Sequence, residues 1–135
     1  MGVILDTTVL IEAERGRLEI DRFIVGKQEK LFGLSVITAA ELLHRVHRAD
    51  SAKRRRRRSA YVEKLVELFP LYAFDLAAAG IYADLWDQLL REGKIIGAHD
   101  LMIGSTALAF SFSVATFNKR EFERIEGLEV ELLTS

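Results

Sequence analysis

The 135-residue sequence has no cysteine, a single proline and no stretch of Gly, Ser or Pro that would mark a linker. Without cysteine there are no disulfides and no thiolate metal sites, which suits a reducing compartment. A basic start followed by an apolar middle, the mark of a secretory signal, is missing, because Asp6 interrupts the first apolar run. The uncharged stretch from Leu101 to Phe117 is too interrupted for a membrane span: Gly104, Ser105, Thr106, Ser111, Ser113 and Thr116 lie within it. It reads as a buried helix followed by a buried strand. A soluble, cytoplasmic protein without membrane contact is expected.

Half of the residues are hydrophobic and 29% are charged, the profile of an ordinary globular chain. The length suits one domain over residues 1–135, large enough to bury a core. The net charge of −1 conceals an asymmetry. Lys53, Arg54, Arg55, Arg56, Arg57 and Arg58 are consecutive, and without them 13 basic residues face 20 acidic ones, a balance of −7. The body is acidic and one short segment is strongly basic.

Short Val/Ile/Leu runs alternate with amphipathic stretches. The runs at Gly2–Asp6, Leu31–Leu34, Leu71–Phe74, Ser113–Phe117 and Val130–Leu133 predict strands. Thr7 and Thr8 are expected to cap a helix that Gly16 ends, and Leu18 to Gln28 repeats apolar residues at helical spacing. Ser35 or Thr38 is expected to cap a helix with Ala39, Leu42, Leu43 and Val46 on one apolar face. Another helix, carrying Tyr61, Leu65 and Leu68 flanked by Val62, Val66 and Phe69, starts within or near the arginines, and Pro70 stops it. Asp75 is a good N-cap for the helix from Leu76 to about Arg91, with Trp86 and Leu89–Leu90 assigned to core packing. His99-Asp100 starts a helix to about Phe110, and Arg120–Ile125 forms a helical turn. Alternation of this kind predicts a three-layer α/β fold, a mostly parallel central sheet with helices on both faces.

In such sheets ligands collect beyond the carboxyl ends of the strands, near a reversal of strand order. Asp6 ends the first strand, Asn118 follows the strand at Ser113–Phe117, and Glu41 and Asp100 begin helices on the same side. Taken singly, each acid has a structural explanation: a helix cap, a first-turn charge favoured by the helix dipole, or a solvated surface group. Taken together, three carboxylates at one sheet edge read as a divalent-cation site, since crowded acids repel unless a cation neutralises them. Oxygen ligands suit Mg²⁺ or Mn²⁺. The chemistry that needs this arrangement is phosphodiester hydrolysis.

Four segments carry a resemblance: Leu5-Asp6-Thr7-Thr8-Val9-Leu10-Ile11, Thr38-Ala39-Ala40-Glu41-Leu42, Ile96-Gly97-Ala98-His99-Asp100-Leu101-Met102-Ile103-Gly104 and Ala115-Thr116-Phe117-Asn118-Lys119-Arg120-Glu121-Phe122. In this order and spacing they resemble the PIN-domain family, and within it the VapC-type ribonuclease toxins of toxin–antitoxin pairs, over almost the whole chain. The resemblance implies a Mg²⁺- or Mn²⁺-dependent endoribonuclease acting on transfer or ribosomal RNA. It also implies a homodimer silenced by a VapB-like antitoxin that occupies a groove near the early helices. The apolar Ile11, Leu18, Phe23 and Ile24 are compatible with such a site, with core packing as their default reading. Carried over, Asp6, Glu41 and Asp100 are the metal-binding acids, Asn118 the fourth catalytic position, and Thr8 an assisting hydroxyl. Thr116 and Glu121 are further supporting candidates, Glu121 as a source of charge that Asn118 lacks. His99 stands where relatives commonly have Asn.

The basic run is an RNA-backbone candidate, since guanidinium pairs with phosphate in a bidentate fashion. Its alternative is a frayed, solvated loop, because cations are disfavoured at a helix N-terminus. His44 and His47 read as surface histidines, as steps of three from Glu41 drift around a helix. Two other functions fit the residues. One is a catalytically idle PIN-like module that binds RNA or protein. The other is an aspartyl-phosphate phosphatase using Asp6, which Thr8 weakens by standing where a second acid is needed.

Overall fold

The computed structural model describes residues 2–17, 19 and 30–133. Five strands form one sheet in the order β3-β2-β1-β4-β5, and every pairing among them is parallel. They are β1 (Gly2–Leu5), β2 (Leu31–Ser35), β3 (Leu71–Tyr72), β4 (Ser113–Thr116) and β5 (Val130–Leu132). The connecting helices are α1 (Thr7–Glu14), α2 (Val36–His47), α3 (Ala52–Leu68), α4 (Leu76–Arg91), α5 (Ala98–Ala109) and the single turn α6 (Lys119–Phe122). The helical pattern read between Leu18 and Gln28, with Leu18, Phe23 and Ile24, lies outside the described residues.

β1 is fully buried, which is why it is a continuous apolar run rather than an alternating one. Its successive side chains still point to opposite faces. Val3 and Leu5 join Val9, Leu10, Leu34, Leu42, Val62 and Leu65 under α1, α2 and α3. Ile4 joins Leu85, Leu89, Leu101, Ile103 and Phe122 under α4, α5 and α6. These two apolar layers sandwich the sheet, as expected for the three-layer fold.

Several details differ from the sequence reading. Asp6, not Thr7 or Thr8, occupies the N-cap position of α1, and it makes no side-chain cap bond. Ser35 caps α2 by accepting from the Ile37 N–H, whereas Thr38 is buried within the helix. Leu43, Val66 and Leu68 are exposed: the helical period turns Leu43 away from Leu42, and Val66 and Leu68 stand in the last turn of α3. Trp86 and Leu90 are 53% and 67% exposed, and the buried residues of α4 are Ala78, Leu85 and Leu89. β3 is two residues long rather than four, since it lies at the sheet edge and pairs with β2 through Leu71 and Tyr72 alone. The basic run is helical: Ser51 caps α3 through the Arg54 N–H, and the dipole penalty does not unwind the first turns.

Candidate active site

The chain proceeds outward from β1 through β2 to β3, and on the other side from β4 to β5, so the strand order reverses between β1 and β4. Asp6 lies at that reversal, at the carboxyl end of β1, with its N–H bonded to the Ala115 carbonyl at 3.0 Å. Its side chain is almost wholly enclosed, at 1% exposure. Both flanking hydroxyls donate to one oxygen: Thr8 Oγ1 reaches Oδ2 at 2.7 Å and Thr116 Oγ1 at 2.6 Å. Those hydroxyls are held in turn by backbone N–H groups, Phe117 to Thr8 at 3.4 Å and Asn118 to Thr116 at 2.7 Å. The end of β4 thus clamps the end of β1 through Asp6. Thr8 and Thr116, both supporting candidates, are brought to the acid.

Glu41 comes from the second turn of α2. Thr7 Oγ1 donates to Glu41 Oε1 at 2.6 Å and lies 3.0 Å from the buried Thr38 hydroxyl. Glu41 Oε2 is 3.4 Å from His99 Nδ1. The sequence offers Thr7 and Thr38 only as helix caps, since nothing in it links a threonine to partners 31 and 34 positions away. His99 stood out as a departure from relatives, and its partner is Glu41.

Asp100 is the third residue of α5, where a negative charge is favoured by the helix dipole. Its carboxyl is nevertheless pushed up to about 6, first by burial and then by the negative charges of Asp6, Glu41 and Glu121, with His99 opposing. Asp6 is also raised. Burial is the main cause, the bonds from Thr116, Thr8 and the Thr7 backbone work against it, and Glu41 adds to it. Asp6, Glu41, Asp100 and Glu121 therefore share one neighbourhood. Asn118 sits at the N-terminus of α6 and makes no side-chain cap bond.

Glu121 has one oxygen, Oε2, buried without a hydrogen-bond partner, while Oε1 lies 3.8 Å from Arg124. A buried carboxylate oxygen left unpaired is costly unless something positive reaches it. Among the described residues no three acids or histidines already stand close enough to hold one metal ion. The donor set nonetheless fits a hard divalent cation. It is all oxygen, partly buried, mutually repelling and short of positive partners.

A five-stranded parallel α/β sheet with carboxylates gathered at its strand-order reversal defines the class of the molecule, and the comparisons specify it. The PIN-domain profile matches residues 3–128. Ribonuclease VapC1 of Rickettsia felis is 33% identical over 138 aligned positions, covering 100% of this chain and 98% of that protein. The tRNA(fMet)-specific endonuclease VapC of Salmonella typhimurium is 30% identical, covering 94% of each. The crystal structure of DNA-bound VapBC from Salmonella typhimurium superposes with a TM-score of 0.87 at 28% identity, covering 98% of both chains. The chain belongs to the PIN-domain family, on its VapC ribonuclease branch. No helix among the described residues is long and apolar enough to cross a membrane.

Proposed function

We propose that this chain is a Mg²⁺- or Mn²⁺-dependent endoribonuclease toxin that hydrolyses a phosphodiester in a transfer or ribosomal RNA. In the same reading it assembles as a homodimer and is silenced by a VapB-like antitoxin. The observation that carries the catalytic part is the gathering of Asp6, Glu41 and Glu121 around the partly buried Asp100, whose carboxyl is pushed up to about 6 by burial first and by these negative charges second. RNA as the substrate is supported by the ribonuclease relatives, and transfer RNA by the name of the Salmonella one. The antitoxin is supported by the likeness to VapBC.

In this reading Asp6 and Asp100 bind the ion, Glu41 completes or bridges the site, and Asn118 orients water or a second, weaker ion. Glu121 adds charge that Asn118 lacks. When bound, a divalent cation supplies Lewis acidity to the scissile phosphate and acidifies a water. The chain's own residues do the rest. Thr8 and Thr116 hold one oxygen of Asp6, so its carboxylate cannot swing away from its acidic neighbours. Thr7 holds Glu41 in the same way from α1. Partial burial excludes competing water and strengthens every charge interaction inside.

Purified protein incubated with 5′-labelled transfer RNA should cut it when Mn²⁺ is present and stop when the ion is chelated. Asp6→Asn and Asp100→Asn should each lower the rate more than about 100-fold, at least the effect of disturbing an outer ligand shell. Circular dichroism checks that both stay folded. Wild-type cleavage by both variants would overturn the assignment.

A further inference from the structure

Because the six basic residues are helical, the period of α3 divides them into two sets. Arg54, Arg57 and Arg58, spaced i, i+3, i+4, line a cavity of about 280 Å³ whose other walls are Glu14, Arg15 and Arg45. Lys53, Arg55 and Arg56 are exposed and lie outside it.

Five guanidinium groups and one carboxylate make these walls, and the carboxylate is already engaged. Glu14 Oε1 accepts from Arg45 Nη1 at 3.0 Å, with both side chains largely covered. Arg58 donates to the neutral carbonyl of Arg45 at 2.7 Å, so its charge is not cancelled. Arg54 reaches Asp50 at 3.2 Å on open surface, where water and salt screen the pair. Arg57 has no hydrogen-bond or ion-pair partner among the described residues. An otherwise acidic chain thus keeps a recess of concentrated positive charge.

Arg45 connects this recess to the acids. It also lines a groove of about 300 Å³ together with Glu41, His44 and His99. Along α2 it stands one turn beyond Glu41, about 6 Å at the usual helical rise.

We infer that the recess is a phosphate subsite for the RNA strand. It holds a backbone phosphate on the strand flanking the bond that breaks. Arg54 and Arg57 reach the phosphate, and Arg45 and Arg58 frame the wall. The inference rests on the RNA-cleaving reading above and adds the part of the site that positions the strand. Guanidinium suits the task because its fixed fork pairs two N–H groups with two phosphate oxygens.

The test compares two double variants that remove equal charge from exposed positions, Arg54→Gln/Arg57→Gln and Arg55→Gln/Arg56→Gln. Both leave Arg58 bonded to the Arg45 carbonyl, and circular dichroism checks their folding. Fluorescence anisotropy follows a labelled single-stranded RNA dodecamer in EDTA over a series of KCl concentrations. Each phosphate contact on a single strand contributes about 0.7 to the slope of log affinity against log salt. The first pair should therefore flatten the slope by about 1.4 and the second by less than half of that. Equal flattening by both pairs, or by neither, would overturn the inference. So would binding of hexaglutamate that is lost in the first pair while the RNA slope stays unchanged, which would assign the recess to an acidic protein segment. Cleavage is not read in this experiment. A slope split in a protein that cuts no RNA leaves the subsite standing and removes the catalytic reading, and cleavage without a split does the reverse.

Discussion

A carboxylate enclosed as tightly as Asp6 has traded water for two threonine hydroxyls and a backbone N–H, and the exchange is incomplete. Burial outweighs the three bonds, so the group titrates above its ordinary value. Asp100 is raised too, to about 6 against an ordinary 3.8. In the unfolded chain these protons leave near the ordinary value, while the folded chain holds the Asp100 proton until about 6. Across that window the folded state carries more protons, so stability falls as pH rises, and the loss is complete above about pH 6. A divalent cation binds the ionised form and offsets the repulsion. In EDTA the wild-type protein should therefore lose melting temperature relative to Asp100→Asn as pH rises from about 4 to 6. The upward shift caused by Mn²⁺ should be larger near pH 7 than near pH 5, following the same proton competition. Differential scanning fluorimetry measures both, and a larger Mn²⁺ shift at the lower pH would contradict the account.

At the scale of elements, the site is assembled from ends. β1 contributes Asp6 as it stops, β4 contributes Thr116 and then Asn118, and α2 and α5 contribute Glu41 and Asp100 from their first two turns. Caps with a side chain that bonds a backbone N–H were legible in the sequence, as Ser35 and Asp75 show. Thr7 and Thr8 were misread as caps because hydroxyls beside a strand end look alike, whether they face a helix N–H or a distant carboxylate. Their partners are Glu41 and Asp6, and only folding decides between them. Elements remote from the acids should matter for stability alone. Asp75→Ala, which removes the bond to the Ala78 N–H, should cost about 1 kcal/mol in urea unfolding. Its cleavage rate should stay at the wild-type value. A loss of rate would mean that α4 helps position the site.

For the whole molecule, the layered sheet was legible because its central strands β1 and β4 are buried on both faces, and β1 reads as an unbroken apolar run over Gly2–Leu5. Which side of each helix meets the core was less legible. Leu43, Trp86 and Leu90 are as apolar as Leu42, Leu85 and Leu89, yet they point outward. The acids at positions 6, 41 and 100 were legible from where strands and helices start and stop. Their mutual repulsion depends on distances that folding alone sets. Charge is also distributed at this scale, with acids at the sheet edge and an arginine-lined recess that shares Arg45 with the groove beside Glu41.

The central claim is that the acids at this edge act together on one kind of ligand, a divalent cation. Titration calorimetry with Mn²⁺ tests it most directly. Wild-type protein should bind the ion, and Asp6→Asn and Asp100→Asn should each weaken binding by at least about 10-fold while remaining folded. Mn²⁺ binding at unchanged affinity in both variants would contradict the claim.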